Sequence, residues 1–256
     1  MKNRCIVTPF FLDHEVPKLS ALLRPGWREN KVQLPESSQQ IRMSTIHRPL
    51  CEFASNAIND GYRPVSIAGD CCTAIGILAG IQRAGINPLL LWFDAHGDFN
   101  TWETTPSGFL GGMPLAMIVG RGEQTMPDAV GLEPLPEKQV ILTDGRDLDP
   151  GERDLVTQSD LFHVTRVKDI IGHPFVNREL YVHFDTDIIN PAEAPAMNYR
   201  AEGGPAAAEL SEVFAWLAGT GNVIAASLSS WNPDYDSDGA SREVCMKLFS
   251  TLVGKE

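Results

Sequence analysis

Short apolar runs alternate with stretches of helical periodicity along the 256 residues of this chain. Apolar runs bounded by turn residues predict strands over 4–11, 64–68, 88–93, 138–143, 161–164, 179–184 and 223–228. Apolar positions three or four residues apart predict helices over 45–59, 73–84, 151–158, 206–218 and 239–252. Strands that alternate with helices indicate repeated βαβ units, so we expect an α/β fold with a mainly parallel sheet.

The same pattern favours one domain over 1–256. Its length suits a single large α/β domain and is short for two, and no internal repeat or low-complexity tract interrupts it. Residues 24–43 are rich in proline and polar side chains, which predicts a connection containing a short strand near Val32.

Composition narrows the classes of function. The formal net charge is -12 without any basic block, which argues against a nucleic-acid surface. No apolar run approaches the roughly 20 residues of a membrane span, and the N-terminus lacks the long apolar region of a signal peptide. The five cysteines, with Cys71 and Cys72 adjacent, do not form a disulfide framework. We expect a reduced, cytoplasmic enzyme that binds neither nucleic acid nor membrane.

Metal-capable side chains follow three of the predicted strands. Asp94, His96 and Asp98 alternate after one strand, while Asp70 and Cys71 follow a second and Asp185-Thr186-Asp187 follows a third. Because the carboxyl ends of parallel strands share one edge of a sheet, we expect these side chains to meet in one crevice. Oxygen-rich ligation with one imidazole suits Mn. So many carboxylates exceed the needs of one ion and favour two ions that share aspartates.

Simpler interpretations exist for some of these residues. An Asp-x-Asp after a strand is usually a turn or a cap, and Asp70 suits the cap of the helix over 73–84. His183 lies inside an apolar run, which predicts a packed strand histidine. The recurrence of acidic groups after three strands favours the metal site.

These segments resemble motifs of the ureohydrolase family, which comprises arginase, agmatinase and their relatives. The resemblance is carried by Asp94-Ala95-His96-Gly97-Asp98-Phe99-Asn100-Thr101 and by Phe184-Asp185-Thr186-Asp187-Ile188-Ile189-Asn190-Pro191, in which Asn190 replaces the last Asp. Gly69-Asp70-Cys71-Cys72 is similar to Gly-Asp-His-Ser, and segments 146–152 and 107–108 match in the same order. The likeness covers most of 64–233.

The resemblance implies a three-layer α/β/α, arginase-like fold with two Mn ions. It implies the ligands Cys71, Asp94, His96, Asp98, Asp185 and Asp187. Asp94 and Asp185 would bridge the ions, Cys71 and Asp98 would complete one site, and the remaining two ligands the other. The ions would ionise a shared water, and Asp98 would be the catalytic residue that orients it and accepts its proton.

The resemblance also implies a small-molecule substrate whose distal polar end is held by Asn100, Ser107 and Asp149. Trimers and hexamers are common in the family, so a homo-oligomer is expected as well.

The chain departs from the motifs of the family at three positions that affect the chemistry. Cys71 replaces a histidine ligand, and a thiolate makes the site softer, so Zn, Fe or Ni become alternatives to Mn. Gly111 replaces the histidine that shuttles protons to the leaving amine, and Ser230 replaces a glutamate that grips guanidinium. Phe109 stands at a polar substrate-contacting position, and together with Phe99 it predicts an apolar wall.

We therefore expect hydrolysis of a C–N bond in a guanidino, N-hydroxyguanidino or amidine-type molecule rather than in ordinary L-arginine. The pairing of a Cys ligand with the missing histidine is similar to the branch that acts on N-hydroxyarginine. Two alternatives stay open, namely an amide deacylase with a single Zn and a catalytically inactive, metal-dependent binding protein.

Overall fold

A computed structural model describes residues 1–174 and 178–254. Its strands are β1 Lys2–Thr8, β2 Phe10–Phe11, β3 His14–Glu15, β4 Arg28–Glu29, β5 Tyr62–Ala68, β6 Leu89–Asp94, β7 Val140–Asp144, β8 Phe162–Val164, β9 Leu180–Asp185 and β10 Val223–Ser229. Its α-helices are α1 Gln39–Asn59, α2 Thr73–Arg83, α3 Pro114–Ile118, α4 Thr125–Val130, α5 Pro150–Gln158, α6 Ala207–Thr220 and α7 Ala240–Val253. Short 3₁₀ helices lie at Pro17–Leu22, Leu110–Gly112, Glu137–Gln139, Val167–Ile170 and Thr186–Ile188.

Eight strands form one sheet in the order β4-β1-β5-β10-β9-β6-β7-β8, and each neighbouring pair is parallel. Every residue of the central strands β6 and β9 is buried, because helices cover both faces of the sheet. This arrangement brings the ends of β5, β10, β9 and β6 next to one another.

Successive side chains of β6 point into different cores. Trp92 belongs to the core shared with α1 to α5, whereas Phe93 belongs to the core shared with α6 and α7. On the latter side, the ring of Phe214 lies edge-on to Phe93 at 5.1 Å and to Phe184 at 4.9 Å between centroids. A sheet between two helical layers confirms the predicted three-layer α/β/α fold.

The prediction of one strand over 4–11 is wrong beyond Thr8. Pro9 has no N–H with which to continue the ladder, and Phe10–Phe11 instead pairs antiparallel with His14–Glu15. This small hairpin places Phe11 near the carboxyl ends of the sheet strands.

The predicted connection over 24–43 also ends too late. Ser38 accepts a hydrogen bond from the Ile41 N–H at 3.5 Å and caps α1, which begins at Gln39 rather than at residue 45. The short strand expected near Val32 is Arg28–Glu29. Helix α4 was not predicted because its six residues are too few to show a period.

None of the helices within the described residues is long and apolar enough to cross a bilayer. The organisation as one domain over 1–256 stays a prediction.

Candidate metal centre

The carboxyl ends of β5, β10, β9 and β6 form the floor of one cavity of about 660 Å³. The structure brings every site residue predicted from the sequence to this cavity. They are Cys71, Asp94, His96, Asp98, Asn100, Ser107, Asp149, Asp185 and Asp187. The metal-capable groups share this location because each lies at or just beyond the end of its strand, whereas Asn100, Ser107 and Asp149 lie on the loops that follow β6 and β7.

Two sets of donor atoms are close enough to hold metal ions. In one, single donor atoms of Cys71, Asp94, His183 and Asp185 all lie within 4.8 Å of one another, and in the other those of Asp94, His96 and Asp187 do so. His96 Nδ1 is 3.0 Å from an Asp187 oxygen and 3.5 Å from an Asp94 oxygen. Asp94 belongs to both sets, as a ligand shared by two ions would.

Asp98 lies outside both sets but lines the same cavity. Its carbonyl accepts hydrogen bonds from the N–H groups of Leu115 and Ala116, which fasten its backbone to the start of α3. Its Oδ2 atom is buried, and no described residue gives it a hydrogen-bond partner. A buried carboxylate oxygen without a donor is costly, and a cation or a water proton would satisfy it.

Protein groups alone disfavour the ionised form of the carboxylates in the cavity. Burial, followed by repulsion from neighbouring carboxylates, raises the pKa of Asp94 and Asp98, and it raises the pKa of Asp187 to about 6 and of Asp185 to about 7. Burial by itself would lower the pKa of His96. Hydrogen bonds to Asp187 and Asp94 and attraction by these carboxylates outweigh burial, so the pKa is raised overall. Divalent cations would offset this repulsion, so the residues fit a metal centre.

Asp185 Oδ2 is the most heavily hydrogen-bonded atom of the cluster. It accepts bonds from Cys71 Sγ at 2.6 Å, from Ser229 Oγ at 3.0 Å and from Ser230 Oγ. Ser230, which stands where the resemblance expects a substrate-gripping glutamate, is therefore turned towards a predicted metal ligand.

Two buried residues, Trp92 and His183, lie beneath the cluster. Trp92 donates from Nε1 to Asp94 Oδ2 at 3.1 Å and stacks on His183, with ring centroids 3.9 Å apart. His183 is the packed strand histidine that its apolar surroundings predict, since burial lowers its pKa to about 3. Its two ring nitrogens contact the hydroxyls of Ser227 and Ser229 at 2.8 and 3.3 Å. These contacts join strands distant in sequence, and no local signal reveals them.

Glu152 is a further residue of the cavity that sequence reasoning passed over. Its carboxylate accepts the Phe99 N–H at 2.8 Å and the Asp149 N–H at 3.2 Å. Burial raises the pKa of Glu152 to about 7. The Asp-x-x-Glu spacing of a capping box, present at 149–152, was the available signal.

The predicted substrate-binding residues form a polar side of the cavity. Asn100 Nδ2 donates to Asp149 Oδ2 at 3.0 Å, and Asn100 Oδ1 accepts from Thr104 Oγ1 at 3.0 Å. Ser107 lies at the exposed mouth, where its Oγ accepts the Phe109 N–H at 3.2 Å.

Phe109 lines the cavity as expected, but Phe99 does not. Phe99 is fully buried in the core, with its ring facing the Arg121 guanidinium. The prediction of an apolar wall is therefore wrong for Phe99, because its side chain packs into the core instead of facing the cavity. A Cβ atom built on Gly111 would collide with the ring of Phe109, so this ring occupies the space of the missing residue-111 side chain.

Comparison with known proteins agrees with this geometry. The family model described as "Arginase family" matches residues 29–254. The chain is 30% identical to the arginase of Bacillus subtilis (strain 168) over 219 residues, which cover 81% of this chain and 74% of that relative. It is 31% identical to an arginase of Brucella melitensis over 224 residues, with 80% and 72% covered.

Solved structures show the same fold. The arginase of Bacillus cereus superposes with a TM-score of 0.86 at 23% identity, with 100% of this chain and 99% of that chain covered. The formimidoylglutamase of Bacillus subtilis gives a TM-score of 0.75 at 13% identity, with 99% and 86% covered. On the strength of the family match and of these sequence relatives, the chain belongs to the arginase family, whose members are metal-dependent hydrolases acting on guanidino C–N bonds.

Proposed function

We propose that this protein uses two Mn ions to hydrolyse a C–N bond in a guanidino, N-hydroxyguanidino or amidine-type small molecule other than ordinary L-arginine. The observation that carries the proposal is the pair of donor sets joined by Asp94 on the floor of one cavity. Cys71, Asp94 and Asp185 would hold one ion together with Asp98, and Asp94, Asp185, His96 and Asp187 the other.

Carboxylate oxygens with one imidazole favour Mn, while the Cys71 thiolate keeps Zn, Fe or Ni as less favoured alternatives. Two such ions, when bound, supply hydroxide near neutral pH by lowering the pKa of a water that they share. The protein's own side chains carry out the remaining steps.

Asp98 is the proposed proton carrier. Its backbone is held by the start of α3 and its Oδ2 faces no protein donor, so the carboxylate is free to accept a proton from the attacking water. The same group then returns the proton to the departing nitrogen. Asn100, Ser107 and Asp149 form the polar side along which the substrate is oriented.

Two positions argue against ordinary L-arginine. Gly111 offers no acid to a leaving alkylamine, and a positioned acid typically contributes about 10²- to 10⁴-fold. The Ser230 hydroxyl bonds to Asp185 and brings no charge to pair with guanidinium. A substrate whose nitrogen leaves more easily suits this site better.

The proposal is tested with purified, Mn-loaded protein and mass-spectrometric product detection. The panel contains arginine, N-hydroxyarginine, agmatine, guanidinobutyrate and simple guanidines and amidines. We expect turnover of at least one member other than arginine. Fastest turnover of arginine would refute the substrate proposal, and turnover of none would favour the inactive binding protein.

The number of bound metal ions distinguishes the amide deacylase from the proposed function. Elemental analysis is expected to find about two ions per chain, whereas one Zn would favour the amide deacylase. A homo-oligomer and a cytoplasmic location are also proposed, and the five cysteines, all buried and none in a disulfide among the described residues, fit a reducing compartment.

A further inference from the structure

Three aromatic side chains line one side of the cavity: Phe11, Phe109 and Tyr199, which we call the aromatic wall. The ring centroids of Phe109 and Tyr199 are 4.9 Å apart, and Phe11 lies 6.4 Å from Phe109 and 6.5 Å from Tyr199. Phe11 comes from the β2–β3 hairpin and Tyr199 from the loop after β9, so three distant parts of the chain build one hydrocarbon surface.

The position of the Phe109 ring depends on Gly111, the residue that stands in place of the proton-shuttling histidine. Its ring fills the space that a side chain at Gly111 would need. The local backbone is also held, because the Phe109 carbonyl accepts the Gly112 N–H at 3.2 Å while the Gly112 carbonyl accepts the Asn100 N–H at 3.1 Å. The Phe109 ring in this position and a side chain at residue 111 therefore exclude each other.

Charge in the cavity favours a cationic head group. Eight carboxylic side chains line it, and among the described residues no lysine or arginine does. Two divalent cations would offset only half of the formal negative charge. The remaining negative charge attracts a protonated guanidine or amidine.

We infer that the substrate is a guanidine or amidine that carries an apolar, planar substituent, and that the aromatic wall holds this substituent. The inference rests on the proposed function and names the substrate class of the same site. Rings that stack on other rings gain free energy beyond the area that they bury. The cationic head is then directed to the acidic floor and the apolar group to the wall.

Phenylguanidine represents this class, because its planar ring is bonded to the departing nitrogen and aniline leaves more easily than an alkylamine. Water oxygen adds to the guanidine carbon, the bond from that carbon to the phenyl-bearing nitrogen breaks, and the nitrogen takes a proton as it leaves. The products are urea and aniline, and no oxidant or further reactant is consumed.

The kinetic experiment compares phenylguanidine with agmatine, arginine and unsubstituted guanidine on the Mn-loaded enzyme. We expect kcat/KM to be highest for phenylguanidine. Phe109→Ala is expected to lower the ratio of kcat/KM for phenylguanidine to that for guanidine by about 10- to 100-fold. Tyr199→Ala should lower it by about 3- to 10-fold, whereas Tyr235→Ala, an exposed tyrosine outside the cavity lining, should leave it unchanged.

A binding measurement provides a readout that does not depend on turnover. Calorimetric titration should show benzamidine binding at least about tenfold more tightly than acetamidine, with the difference removed by Tyr199→Ala. This variant tests the wall even where Phe109→Ala fails to fold, because Tyr199 is half exposed.

Preference for agmatine or arginine over phenylguanidine would overturn the inference and leave hydrolysis of guanidines intact. Equal affinity for benzamidine and acetamidine would overturn it as well. Absence of any hydrolysis with two Mn bound would instead overturn the proposed function.

Discussion

The indole of Trp92 offers a direct test of how the protein positions the ligand shared by both donor sets. Its N–H donates to Asp94 Oδ2 at 3.1 Å inside a fully buried environment. Trp92→Phe removes this donor and keeps an aromatic ring to stack on His183, which lies 3.9 Å away. The carboxylate then keeps the His96 N–H, which bonds to Oδ1 at 2.7 Å, and the longer contact of Cys71 Sγ with Oδ2 at 3.9 Å.

A hydrogen bond to a charged group contributes about 1.5–3 kcal/mol. If binding of the ions depends on the carboxylate orientation that this bond maintains, its loss weakens metal binding. Because about 1.4 kcal/mol corresponds to a tenfold change in affinity, we expect Mn to bind about 10- to 100-fold more weakly. The metal-free protein should lose stability as well, because a buried carboxylate oxygen has lost its donor.

The assay is competitive Mn titration against a chelating dye, together with thermal unfolding of the metal-free protein. Trp216→Phe in α6 is the matched control, since it makes the same change in a half-buried tryptophan on the other helical layer. Unchanged or tighter Mn binding in Trp92→Phe, with the control also unchanged, would show that Trp92 is only a core residue.

Three further predictions follow from other residues. Cys71→Ala should lower occupancy of one metal site in elemental analysis, whereas Cys71→His should largely preserve it, because imidazole can replace a thiolate as ligand. Gly111→His should destabilise the protein by about 1–3 kcal/mol through overpacking against Phe109, and Phe109→Asn should relieve this loss in a double-mutant cycle measured by urea unfolding. Burial lowers the pKa of His47 to about 3, so the contribution of His47 to the free energy of unfolding should fall by about 2 kcal/mol between pH 8 and pH 5, because only the unfolded chain then takes up a proton at this residue. His47→Leu should remove that part of the pH dependence.

Each of these predictions has a result that contradicts it. Equal metal loss in both Cys71 variants would mean that ligand geometry rather than donor chemistry matters there. Additive destabilisation in the cycle would show that the Phe109 ring does not compete with a residue-111 side chain. Parallel pH–stability curves for the wild type and His47→Leu would show that the histidine is protonated in the folded protein.

Local sequence was sufficient to predict most elements and the acidic floor. Buried runs such as Leu89–Asp94 and Leu180–Asp185 are recognisable because both faces of a central parallel strand are covered. The aspartates after them are recognisable because acidic groups recur after three of the predicted strands. Errors arose where a single residue changed the path of the chain, as Pro9 and Ser38 did.

The chain's own pattern thus determined the α/β class, the strand ends and the side chains that could bind metal, because these depend on neighbours within a few residues. Tertiary structure alone decided the partners of those side chains. The order β5-β10-β9-β6 places Cys71 beside Asp185 and Ser229, and the hairpin and loop carry Phe11 and Tyr199 to Phe109. Periodicity records which face of an element is buried, whereas the packing of layers determines what that face meets.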